Sequence, residues 1–171
     1  MDGHAHRHHL SQTGVVSRSK FFRILTFPPY TGHMRVRRTV LDAIVAHARR
    51  ENPRECCGLL VGDSHQAIEA VAVTNVAEEP LRQYEVSPVE HLAQIKRCRE
   101  RSSSGAPLDV IGAYHSHPRS QARPSPTDLE RACQDFLFVI AGPVSEAADV
   151  PVRGYRLNRT AFEEVQLVVV D

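Results

Sequence analysis

Two stretches built to one pattern, Ser87-Pro88-Val89-Glu90 and Ser125-Pro126-Thr127-Asp128, most constrain how this chain can fold. Each offers a hydroxyl at a helix cap, a proline at the first helical position and an acid three residues after the serine, which together mark a helix start. The first predicts a helix to about Arg101, where Ser-Ser-Ser-Gly stops it, and the second a helix reaching Cys133. A third helix is visible from periodicity alone: Val40, Leu41, Ile44, Val45 and Ala48 recur at helical spacing between Arg38 and about Arg50, and Asn52-Pro53 ends it. Between the helices lie short apolar runs. Cys56 to Val61, closed by Gly62 and Asp63, reads as a buried strand with Ala67 to Val76 as its hairpin partner. Leu108 to Tyr114, Phe136 to Ala141, Val152 to Leu157 and Val165 to Val170 read as further strands. Strands interleaved with three helices predict an α/β fold, a single-domain three-layer sandwich with a central mixed β-sheet flanked by helices.

The length of 171 residues suits one domain with a real core. The regular pattern occupies residues 34–171, so residues 1–33 read as an N-terminal extension, largely disordered, and Met34 as a candidate start. His4, His6, His8 and His9 lie there in an Arg-rich, acid-poor stretch that lacks the apolar run of a signal peptide. Phe21 to Phe27 is the one strand-like piece of the extension, broken by Pro28 and Pro29. With 21 basic and 20 acidic residues the net charge is +1, which gives no electrostatic reason to expect nucleic acid or an anionic membrane surface. Nor does any apolar run approach the ~20 residues of a membrane helix. Cys56, Cys57, Cys98 and Cys133 lack the spacing of a disulfide framework or a zinc knuckle. Adjacent Cys56 and Cys57 point to opposite faces of a strand, so buried reduced thiols and a cytoplasmic enzyme are expected.

The chemistry sits where the fourth strand ends, in Tyr-His-Ser-His-Pro at 114–118. Residues two apart in a strand share a face, so His115 and His117 can reach one ion while Ser116 points away. Asp128, at the start of the next helix, supplies a third ligand in a place where the helix dipole favours negative charge. Two imidazoles and a carboxylate can hold zinc and leave a fourth position for water, the arrangement of a catalytic rather than a closed site. A His-x-His pair alone is equally a pair of surface histidines near a turn, with Asp128 a simple helix-start acid. The added spacing of Ser125 and Asp128 weighs against that reading. A hydrolytic zinc also needs a proton carrier. Glu55 is the candidate, at the edge of the apolar run Cys-Cys-Gly-Leu-Leu-Val-Gly, where desolvation would raise its pKa. The alternative is a solvated loop glutamate, because Arg49, Arg50, Glu51 and Arg54 make the same connection highly charged.

These positions resemble the JAMM (Jab1/MPN/Mov34) metalloprotease motif: a glutamate, then His-Ser/Thr-His, seven residues, Ser, two residues, Asp. Glu55, His115, His117, Ser125 and Asp128 match every fixed position, and the resemblance extends from about Met34 to the C-terminus, through Asn75, Tyr84, Ser87-Pro88 and Gly154-Tyr155-Arg156. It implies the JAB1/MPN, cytidine-deaminase-like form of the α/β sandwich and one Zn2+ per chain on His115, His117 and Asp128. Glu55 would be the general acid/base, and Ser125 would stabilise the oxyanion. Ser125 also has the rival role of helix N-cap, worth ~1 kcal/mol by itself. Members of this family cleave amide or isopeptide bonds after the C-terminal glycines of ubiquitin-like proteins. Lacking long insertions, this chain is most similar to the small stand-alone bacterial members. The expected partner is therefore a ubiquitin-like sulfur-carrier protein ending in Gly-Gly, from which cysteine or another adduct is released. Removal of such modifiers from lysines is the nearest alternative. A non-catalytic scaffold is another, against which the complete set of five residues argues, and near-neutral charge sets aside a DNA-repair branch. A homodimer is left open.

Overall fold

The second strand explains the layering. The computed structural model describes residues 32–103 and 105–171, so the expected extension up to residue 31, with the run Phe21 to Phe27, lies outside the described residues. The elements in order are β1 (His33–Arg37), α1 (Arg38–Glu51), β2 (Cys57–Gly62), β3 (Gln66–Val73), α2 (Pro88–Ser102), β4 (Asp109–Ser116), α3 (Pro126–Arg131), β5 (Leu137–Ala141), β6 (Val152–Asn158) and β7 (Ala161–Val170). Every residue of β2 is buried, as a strand covered on both faces must be. Cys56 and Leu60 pack into the core that holds Val40, Ile44 and Ala48 of α1. Cys57, Leu59 and Val61 pack into a second core with Cys98 and Ile95 of α2. The two helices therefore cover opposite faces of the sheet, and the two adjacent thiols part between the cores, both free.

The central mixed sheet is present as expected, with strand order β1-β3-β2-β4-β5-β6-β7. It goes one step further and closes, because β1 pairs in parallel with β7 from His33↔Gln166 to Arg37↔Val170 and also touches β3 at Arg35↔Gln66. β1 buries Met34 and Val36 and turns His33, Arg35 and Arg37 outward. Its inward residues join the α1 core, so the sheet curls around that helix. The strand starts at His33, one residue before the boundary expected from sequence.

Two elements are shorter than the sequence suggests. β3 ends at Val73 rather than Val76, because Thr74 turns its N–H to the Glu90 carboxylate at 2.9 Å and Asn75 makes only an isolated bridge to Val86. α3 ends at Arg131, since Ala132 is already extended at ψ 139°, and Cys133 lies beyond it. The strand pair β2–β4 depends on Gly58, opposite Tyr114 in the register. A Cβ at Gly58 would collide with the Tyr114 ring. The Tyr114 hydroxyl is hydrogen-bonded to buried His47 Nδ1 at 2.8 Å, so the ring cannot move freely. Gly58→Ala is expected to lower stability by about 1–3 kcal/mol; an unchanged thermal midpoint would show that the ring has room.

Candidate active site

The end of β4 carries two of the residues singled out in the sequence. His115 sits opposite Cys57 in the register with β2, which brings the preceding Glu55 alongside. His117, one residue past the strand, is tied to β5 by its N–H to Ala141 O at 2.8 Å. Its ring donates from Nδ1 to the Gln121 carbonyl at 3.0 Å, which leaves Nε2 as the free lone pair and fixes the ring plane. The His115 ring is held differently. It stacks on Tyr84 at 4.2 Å and 18°, and its Nδ1 is buried without a hydrogen-bond partner among the described residues.

Asp128 is placed by the helix start itself. Ser125 N donates to Asp128 Oδ2 at 2.6 Å and Asp128 N donates to Ser125 Oγ at 3.2 Å, a reciprocal capping box. The Ser125 hydroxyl also donates to Oδ2, at 2.7 Å, so its proton is committed to the carboxylate rather than to the open cleft. Burial would raise the Asp128 pKa, but hydrogen bonds with His115, His117 and Ser125 outweigh it and hold the group well below the usual carboxylate range.

The three side chains converge on one point. The two Nε2 atoms lie 3.1 Å apart, His115 Nε2 is 3.2 Å from Asp128 Oδ1, and His117 Nε2 is 3.4 Å from Oδ2. Zinc–ligand bonds of about 2.0–2.1 Å at tetrahedral angles separate neighbouring ligand atoms by about 3.3–3.4 Å. The donors thus already have the spacing of one face of such a tetrahedron, and their chemistry, two imidazoles and a carboxylate, fits a divalent cation. Among the described residues, no other histidine, cysteine or acid joins this group. Burial lowers the His115 pKa, whereas His117, also disfavoured by burial, is carried upward by Asp128 and the Gln121 carbonyl.

Glu55 is buried at 8% exposure rather than solvated. Its N–H donates to Pro80 O at 2.7 Å and its carbonyl accepts from Asn75 Nδ2 at 2.9 Å, so the backbone is fixed from both sides. Its carboxylate makes no hydrogen bond or ion pair among the described residues. Burial pushes its pKa up to about 7, with His117 opposing and Asp128 adding to the rise. Ser116, which points away from the two imidazoles, has a purpose of its own. Its Oγ accepts from Cys56 N at 2.9 Å and its N–H donates to Cys56 O at 3.1 Å, clipping the residue after Glu55 to the strand that carries the histidines. Ser116→Ala would leave the buried Cys56 N–H unpaired and is expected to cost about 1–3 kcal/mol in denaturant unfolding. A loss below a few tenths would show that the backbone pairing suffices.

Four of the five expected residues, Glu55, His117, Ser125 and Asp128, line one cleft of about 110 Å3 together with Tyr84 and Arg131, and the fully buried His115 sits behind it with Nε2 3.1 Å from His117 Nε2. Tyr84 and the Gln121 carbonyl had no assigned role from sequence. An isolated tyrosine carries no spacing signal, and a backbone carbonyl carries none at all. Arg131 of α3 donates to the Tyr84 carbonyl at 3.2 Å and to Gln83 Oε1 at 3.1 Å, closing the cleft wall against the helix.

A closed mixed sheet with helices on two faces and a His-His-Asp cluster beside a buried, unpaired glutamate defines a metallohydrolase type of site. The comparisons with known proteins agree. Residues 37–157 match the family model described as prokaryotic homologues of the JAB domain, and the chain belongs to that family. It is 38% identical over 109 residues to a desampylase of Haloferax volcanii, covering 60% of this chain and 75% of that protein. It is 30% identical over 138 residues to the CysO-cysteine peptidase of Mycobacterium tuberculosis, covering 80% of this chain and 90% of the relative. A solution structure from Desulfitobacterium hafniense shares the fold with a TM-score of 0.69 at 22% identity, over 81% of this chain and 93% of that one.

Proposed function

We propose that this chain is a zinc-dependent peptidase that hydrolyses the amide bond after the C-terminal Gly-Gly of a ubiquitin-like sulfur-carrier protein, releasing cysteine or another adduct in the cytoplasm. The observation that carries this reading is the preformed triangle of His115, His117 and Asp128 beside an unpaired, buried Glu55. When bound there, zinc supplies positive charge that polarises a carbonyl and acidifies water. One ion per chain is sufficient. Glu55 takes a proton from the attacking water and passes it to the departing nitrogen, a transfer suited to an acid whose pKa lies near neutrality. Ser125 donates to the developing oxyanion once its hydroxyl turns away from Asp128, which keeps its bond from Ser125 N.

Substrate class follows from space and kinship. A narrow cleft of about 110 Å3 suits an extended chain of small residues better than one with bulky side chains. The relatives point the same way: one is named for a CysO–cysteine bond, and another, 35% identical in Thermus thermophilus, for TtuB–protein conjugates. The cysteine adduct takes precedence here because that alignment covers more of both chains. Among the described residues no helix is long and apolar enough to cross a membrane, and all four thiols are free, which suits a reducing compartment. In this reading the catalytic domain is residues 34–171 together with His33 of β1. All five residues come from one chain, so the chemistry demands no homodimer.

Incubation with a sulfur carrier ending in Gly-Gly-Cys, read by intact mass, tests the proposal directly. Loss of one cysteine by a zinc-loaded sample supports it; an unchanged mass rejects it, and cleavage only of lysine-linked conjugates selects the alternative. The pH profile adds a second check. Glu55 accepts a proton only when ionised, so kcat/KM should rise as pH climbs through its pKa and then level off. Burial, opposed by His117 and aided by Asp128, puts that midpoint at about 7, and a neighbouring dication moves it lower. An activity that falls with rising pH across this range would contradict the assignment.

A further inference from the structure

Glu55 has a cavity on each side. Beyond the cleft already described, a larger space of about 420 Å3 opens on the β3 side, walled by His47, Glu51, Arg54, Glu55, Thr74 and Glu90. Glu55 lines both spaces. Their charges differ. The cleft beside the converging ligands sets Arg82 and Arg131 against Asp128 and the shared Glu55, whereas the β3-side cavity sets Arg54 against Glu51, Glu90 and the shared Glu55. The one cationic side chain on that wall, Arg54, is already paired with Glu51 at 3.1 Å. His47 is kept neutral by burial, with Arg50 adding to the effect and Glu51 opposing it. Glu90 is held ionised by the Thr74 N–H.

Hydrolysis of an amide separates charge in the same direction. Water adds across the C–N bond, the carrier keeps the new carboxylate, and the amine departs with the proton as an ammonium. We propose that the β3-side cavity is the leaving-group subsite, shaped for an amine of amino-acid size, and that the carrier's tail lies in the opposite cleft beneath Arg82 and Arg131. This inference rests on the peptidase reading above and gives it a direction. Glu55 lines both spaces, so the residue that hands on the proton borders the space assigned to the departing amine. The size agrees, since pockets for small molecules run from about 300 to 1,000 Å3. The released ammonium finds the Glu90 carboxylate, while the Arg54–Glu51 pair stands at the exposed edge of the same wall.

Ala72, an exposed residue of β3, lines this cavity and offers the test. In the full chain loaded with zinc, Ala72→Trp should lower kcat/KM on a carrier ending in Gly-Gly-Cys by about tenfold or more. Hydrolysis of the same carrier ending in a Gly-Gly primary amide, whose leaving group is only ammonia, should not change. Equal loss on both substrates, or loss on neither, overturns the subsite. A second measurement does not depend on the variant. Titration of the wild-type enzyme with L-serine, a cysteine-sized amino acid without a thiol, should shift the backbone amide resonances of Ala72, Val73 and Thr74. Shifts confined to Ser120, Thr127 and their neighbours, or none at all, reject it. A wild-type enzyme that cleaves neither carrier defeats the peptidase reading itself, which is a different result from an active enzyme indifferent to Ala72→Trp.

Discussion

Glu55→Gln should lower turnover by about 10²–10⁴-fold while the protein keeps its metal and its fold. The amide is nearly isosteric with the carboxyl, and the side chain makes no hydrogen bond or ion pair whose loss would disturb packing. The backbone that holds it, from Pro80 and Asn75, is unaffected by the change. What disappears is the ability to carry a proton, and with it the acid limb of the pH profile. Removal of a buried group that ionises near neutrality should also leave the metal-free protein no less stable. In the folded state the Glu55 carboxyl holds its proton up to about pH 7, whereas unfolded it ionises from about pH 4.3. It therefore costs wild-type stability progressively as pH rises through that window, and glutamine carries no such cost. Steady-state kinetics, metal analysis and unfolding at pH 5 and pH 8 check these three outcomes together. Turnover close to wild type would remove Glu55 from the mechanism.

His117→Ala should have the second large effect, near-complete loss of both bound zinc and hydrolysis. The substitution deletes one corner of a triangle whose edges are 3.1, 3.2 and 3.4 Å, and two remaining donors cannot hold a tetrahedral ion with comparable affinity. It also frees the Gln121 carbonyl, so the loop leading to Ser125 loses a tether. An ion that binds only the folded state adds stability that grows with the logarithm of its concentration above Kd, so the variant should lack the metal-dependent rise in thermal midpoint expected of wild type. Elemental analysis of the purified variant decides the matter: stoichiometric zinc at wild-type levels would mean the ion is held elsewhere.

The local parts of this molecule were readable from sequence, and the non-local parts were not. Ser125 and Asp128 announce themselves because a capping box is written within four residues, and His115 and His117 because a strand repeats every two. Glu55 was ambiguous for a physical reason. Its neighbours Glu51 and Arg54 are indeed at the surface, and only the arrival of Pro80 and Asn75 from beyond β3 buries it. β1 escaped notice because three of its five residues are charged or histidine and face outward, while its partner β7 is supplied from the other end of the chain. Tyr84 reaches His115 only because the segment after β3 folds back over β4, a contact no spacing rule encodes. The cavity beside β3 was invisible in the same way, since its walls come from α1, β2, β3 and the start of α2.

The capping box at Ser125 has one more consequence. The carboxylate of Asp128 already has a job in the folded chain, because it satisfies the Ser125 N–H at 2.6 Å. The proposed ligand and the helix start are one object, so this end of α3 is satisfied from within the chain and folding is expected without a metal. Under the zinc reading proposed above, a chelator should therefore remove the ion and its return should restore the site without a refolding step, which unfolding curves recorded with and without chelator check.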